Sequence, residues 1–217
     1  MEANSEELGT GAQRSAPPAS ALSIITSEHY VLQESRSATI SESTGRASMF
    51  LTAVSGGLVA LGLMATATRV GSAFYAFGLA LLPTLAFIGL ITFQRVLQSG
   101  IEDHGYAERI SQLRAFSFEQ VPQLAAYMPR VPAQERIIAR GLSHGRLQGL
   151  LTAAGMVAVV TAVLVGGAAG LLASVLSSHS LPIALPVGAV VAAGALWGLT
   201  EYQRATWRHA EEAIAAG

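Results

Sequence analysis

LQGLLTAAGMVAVVTAVLVGGAAGLLASVLSSHSLPIALPVGAVVAAGALWGLT, residues 147–200, contains no Asp, Glu, Lys or Arg. Only Ser177-Ser178-His179-Ser180-Leu181-Pro182 interrupts its apolar character. A hydrocarbon core about 30 Å thick is crossed by roughly 20 apolar residues in a helix, so the stretch holds two crossings joined by a short polar turn. It reads as a transmembrane helical hairpin. A second hairpin of the same kind occupies residues 47–94, and the rest of the chain is placed by these two. The fold class expected is all-α: a polytopic membrane protein with four transmembrane helices, arranged as two hairpins with cytosolic helical extensions.

Composition agrees. Hydrophobic residues make up 51% of the chain and charged residues 12%, and mean hydropathy is +0.46, values that lie off the average for a soluble domain. All 13 basic residues are arginine. Cysteine is absent, which excludes disulfides, thiolate metal sites and cysteine nucleophiles. Asn4-Ser5-Glu6 is not a glycosylation sequon.

Residues 1–27, rich in Ser, Ala, Gly, Glu and Pro, read as a disordered tail with no signal-peptide pattern. Residues 28–46 read as a juxtamembrane helix capped by Ser27. The first span follows from Ala47 to Thr68, and Arg69 to Ser72 forms a tight turn. The second span starts with Phe74, Tyr75 and Phe77, an interfacial aromatic cluster, and contains Pro83, which is expected to kink it. Residues 95–146 form a cytosolic connector. Tyr106, Ile110, Leu113 and Phe116 recur near helical spacing, so the second span is expected to continue into its first half. Val121-Pro122 breaks that helix, and a short helix from Ala133 to Leu142 leads to the third span. Residues 201–217 form a C-terminal cytosolic helix.

The third span carries the most specific packing signal. Ala154, Ala158, Ala162, Gly166 and Gly170 recur every four residues along one stripe, and small residues let two backbones approach closely where lipid is as apolar as leucine. The stripe is either packing against the chain's other spans or the contact of a homo-oligomer. Gly194 and Gly198 repeat the theme in the fourth span.

Orientation follows from arginine placement. Arg14, Arg36 and Arg46 precede the first span. Arg95, Arg109, Arg114, Arg130, Arg136, Arg140 and Arg146 fill the connector, and Arg204 and Arg208 follow the fourth span. The two opposite loops hold only Arg69, so both termini and the connector are expected in the cytoplasm of a cell (inner) membrane. Gly45-Arg46 and Leu51-Thr52-Ala53 are matched by Gly145-Arg146 and Leu151-Thr152-Ala153, a pattern open to duplication of one hairpin or to chance agreement among Ala-, Leu- and Gly-rich spans.

No span holds an ionisable residue away from its ends, which counts against a proton-coupled transporter. Thr52, Ser55, Thr84, Thr92, Thr152 and Thr161 are the polar residues at membrane depth, expected mostly to bond their own helix. Glu102-Asp103-His104 offers metal-ligand types, but adjacent helical residues point in different directions. No P-loop and no nucleophile elbow is present. Glu and Asp interleave with the connector arginines, so anionic lipid is the nearer partner than nucleic acid.

Glu28-His29-Tyr30, Ser35-Arg36-Ser37 and Gly45-Arg46-Ala47-Ser48-Met49-Phe50-Leu51 resemble a family of uncharacterised actinobacterial integral membrane proteins. Thr92-Phe93-Gln94-Arg95-Val96-Leu97, Ile101-Glu102-Asp103 and Tyr106-Ala107 are similar to the same family. The resemblance covers residues 28–128 and implies a multi-spanning membrane protein with no assigned activity. The expectation is therefore a non-enzymatic structural, signalling or assembly component without cofactor or metal. Its partners would be the lipid bilayer, a second copy and a cytosolic protein, not nucleic acid. The alternatives are a passive channel or pore-forming effector, and a small-solute transporter.

Overall fold

The structure, a computed structural model, describes residues 19–120, 152–178 and 180–215. They form four helices: α1 (Ala19–Thr68), α2 (Ser72–Gln120), α3 (Ala153–Leu176) and α4 (Leu181–Ala215). The all-α class and four apolar helices long enough to cross a bilayer are as expected.

α1 is one unbroken helix, so the juxtamembrane helix and the first span are a single element. The tail expected over residues 1–27 ends sooner: residues 19–27 are helical, and Ser27 lies inside α1 instead of capping it. Ala19 directly follows Pro17-Pro18, and no Gly or Pro intervenes before Gly45 to stop a helix once begun. α2 likewise runs from the turn through Pro83 to Gln120, where Val121-Pro122 follows. α3 starts at Ala153, where the Thr152 hydroxyl caps it by accepting from the Gly155 amide at 3.0 Å. The expected helix over 133–142, Gly145-Arg146 of the repeat pattern, and the connector's Pro129 and Pro132 lie outside the described residues.

The α1–α2 turn closes through Val70 N–H to Ala65 C=O at 3.1 Å and Gly71 N–H to Thr68 C=O at 3.0 Å. Arg69 and Val70 take φ of 49° and 58°. The left-handed region is costly for a β-branched residue, so the turn is strained at Val70.

Packing follows chain order. α1 lies against α2, α2 against α3 and α3 against α4, and the apolar windows of α2 and α3 are 39% and 33% buried against 11% and 6% for α1 and α4. α2 and α3 are therefore the centre, and α1 and α4 the flanks. A duplicated hairpin closed by a two-fold along the membrane normal would pack α4 on α1 as α3 packs on α2; no comparable α1–α4 interface exists among the described residues. Phe50, Phe93, Val157 and Thr161 are the largest fully buried side chains. Phe50 and Thr161 meet at Gly89, where a Cβ would run into the Thr161 hydroxyl and lie 2.9 Å from the Phe50 ring.

Candidate functional site

The stripe on α3 is an intramolecular seam. Ala154, Ala158 and Ala162 are 5%, 0% and 2% exposed, and Gly166 is also buried. A Cβ on Gly166 would sit 2.5 Å from the Gly188 carbonyl oxygen and 2.6 Å from Ala192 Cβ, and one on Gly170 would sit 3.2 Å from the Ala184 carbonyl oxygen. Gly188 returns the contact: a Cβ added to it would sit 2.9 Å from the Gly166 carbonyl oxygen. Glycine is required here because two backbones touch. Of the two readings left open for the α3 stripe, packing inside the chain is what its residues do here: Gly166 and Gly170 lie against α4, while Ala154 and Ala158 join the buried cluster with Phe50, Leu82 and Phe93.

Gly194 and Gly198 lie elsewhere. Both are exposed, and a Cβ on either would meet nothing within 4 Å. The α4 residues that complete the seam, Ala184, Gly188 and Ala192, were not singled out by the sequence. Pro83 is exposed within an α2 that continues past it.

The hydroxyls at membrane depth are turned inward on their own helices. Thr52 donates to Ser48 C=O, Ser55 to Leu51, Thr84 to Ala80, Thr92 to Ile88 and Thr161 to Val157. Only Thr152 departs from that pattern, as the α3 cap. Its hydroxyl also lies 3.5 Å from Nε2 of the buried Gln203, tying the start of α3 to α4.

The most charged part of the described structure is an arm that α1 and α2 build beyond their spans. Leu61 lies against Gly78, Phe50 against Gly89, and Arg36 against Asp103, so each residue gained on one helix is matched by one lost on the other. The two helices keep one antiparallel register from the turn into the arm. From Arg46 back to Ile24 the arm rises about 33 Å at 1.5 Å per residue. Its clasp is the Arg36–Asp103 pair, with Nε donating to Oδ1 at 2.6 Å and a second guanidinium nitrogen to Oδ2 at 3.4 Å, both side chains 19% exposed. A forked guanidinium–carboxylate contact fixes direction as well as distance.

The Glu102-Asp103-His104 run points three ways. Glu102 accepts from Gln98 at 3.2 Å, Asp103 holds Arg36, and His104 meets the Trp207 ring edge-on at 5.9 Å. Trp207 also covers Gly100, where an added Cβ would lie 3.5 Å from its ring, so the α4 extension rests on the arm. Among the described residues no three His, Cys, Asp or Glu side chains gather as a metal site. His144 and His179 lie outside them.

The two helical extensions were expected from sequence, but their pairing into one arm and its register were missed, since Arg36 and Asp103 are 67 positions apart. Compared with known proteins, the chain matches no family model, no curated protein and no solved structure.

Proposed function

We propose that the chain is a multi-pass inner-membrane protein, with both ends cytoplasmic, that works as a non-enzymatic structural or signalling component by holding a rigid helical arm above the bilayer. The observation that carries this reading is the unbroken α1–α2 register from Leu61–Gly78 to Arg36–Asp103. A hairpin whose pairing does not change at the membrane boundary moves as one lever with its spans, and a cytosolic protein that binds the arm is coupled to the membrane part through packed helices. The arginines on the arm and connector support the cytoplasmic placement.

Transport draws less support. Where α1, α2 and α3 meet, Phe50, Phe93, Val157 and Thr161 fill the interior, and the span hydroxyls are spent on their own helices. A pore would need several copies, and Gly166 and Gly170 of the stripe already face α4. The test is reconstitution of the purified chain into vesicles that enclose a potential-sensitive dye and an ion gradient. The scaffold reading expects the gradient to persist at every protein-to-lipid ratio; leakage that grows with protein content would transfer the chain to the pore class.

A further inference from the structure

Three arginines end the apolar spans at one height. The α1–α2 register sets Arg46 opposite position 93, within two residues of Arg95. α2 and α4 run parallel, meeting at Phe93–Tyr202 and Gly100–Trp207, which sets Arg204 close to the level of Arg95. At 1.5 Å per residue the three fall within roughly 6 Å of one another along the axis. Below that level the helices are apolar; headgroup phosphates of a bilayer would lie at it.

The three are not equivalent. Arg46 pairs with Glu42 at 2.8 Å and Arg204 with Glu201 at 2.6 Å. Arg95 is exposed, and among the described residues it has no ion pair or hydrogen-bond partner. One and two turns below it, on the same face of α2, stand Ile91, Ile88 and Phe87, which are 47%, 41% and 63% exposed. A guanidinium with no carboxylate partner among the described residues, above an apolar ridge, complements an amphiphile with an anionic head and hydrocarbon tails. The planar fork of Arg binds phosphate oxygens in pairs.

We infer that Arg95 holds the phosphate of an anionic phospholipid whose acyl chains lie along Ile91, Ile88 and Phe87. The inference rests on the membrane reading above and adds the lipid class and the residue that selects it. Arg46 and Arg204 are occupied by their own carboxylates and contribute little to the selection.

The experiment is native mass spectrometry of the full chain in neutral detergent, titrated with phosphatidylglycerol, phosphatidylcholine or inorganic phosphate. A basic residue near an anionic surface contributes about 1 kcal/mol, or roughly fivefold in affinity. Arg95→Gln is expected to lower phosphatidylglycerol binding about fivefold, while Arg46→Gln and Arg204→Gln stay within about twofold of the parent. Phosphatidylcholine binding should be the same in all four, and inorganic phosphate should not displace the lipid. Should Arg95→Gln fail to fold, Arg95→Lys keeps the charge without the fork and is expected to fall between parent and Gln. Equal loss in all three variants, no loss at Arg95, or displacement by phosphate alone overturns the assignment. Flotation of the parent with vesicles separates the two levels: a chain that floats without Arg95-dependent selection fails only this inference, and one that does not float fails the membrane reading too.

Discussion

Gly166→Ala adds one methyl group at the tightest point of the α3–α4 seam. Its Cβ would fall 2.5 Å from the Gly188 carbonyl oxygen, 2.6 Å from Ala192 Cβ and 3.1 Å from Ala192 Cα. Carbon–oxygen contacts settle near 3.3–3.6 Å and carbon–carbon contacts near 3.5–4.0 Å, so α4 has to withdraw by about 1 Å. Two of the three obstructing atoms are backbone, and the third is a methyl fixed to it, so no side-chain rotation relieves the clash. A gap of 0.5–1 Å forfeits about a quarter to a half of each dispersion contact along the seam. Overpacking of a fitted interface costs about 1–3 kcal/mol, and about 2 is expected here. Gly194→Ala is the control, because its added methyl meets nothing; it is expected to be neutral or to gain up to about 1 kcal/mol from helix propensity. Equilibrium unfolding of the full chain in mixed micelles reads both. Equal stability of the two variants would refute the reasoning, since it would mean that the backbones are not in contact at Gly166.

Val70→Gly relieves a β-branched residue at φ 58° and is expected to stabilise the α1–α2 hairpin by about 1 kcal/mol, read by the same unfolding assay. At the arm, a double-mutant cycle of Arg36→Ala and Asp103→Ala is expected to give a coupling of about 1–2 kcal/mol, between an exposed pair and a desolvated charged hydrogen bond. Amide hydrogen exchange in the arm provides the local readout: both single variants should lose protection around residues 32–36 and 103–110 before the spans do.

The spans were legible because a bilayer imposes a length and an apolar composition that few other structures share, as residues 147–200 show. The α3 stripe was legible for a related reason: Ala154, Ala158, Ala162, Gly166 and Gly170 keep an unbroken four-residue period through the span. Its partner was not. In α4 small residues stand on every side, with Ala184, Gly188, Ala192, Gly194 and Gly198 on one half of the helix and Ala189 and Ala193 on the other, so spacing alone does not tell the face that touches α3 from the face left exposed. Gly89 went unnoticed because a single glycine between Ile88 and Leu90 has no period, although it is the point where Phe50 of α1 and Thr161 of α3 converge. The start of α1 was placed too late because Ser27 before Glu28 has the chemistry of a cap, yet a cap acts only where a helix begins, and nothing between Ala19 and Ser27 stops one. The clasp at Arg36 and Asp103 depends on a register that emerges only after both helices are packed.

The most direct test of the account is the distance across the arm in a bilayer. Cysteine is absent from the chain, so spin labels introduced at the exposed positions Glu28 and Arg109 report without background, and the register places these residues nearly opposite each other. In nanodiscs the account predicts a single narrow, short distance, broadened when Arg36 and Asp103 are both replaced by alanine. A broad distribution in the parent would contradict it, because the arm would then move independently of the spans and could not serve as their lever.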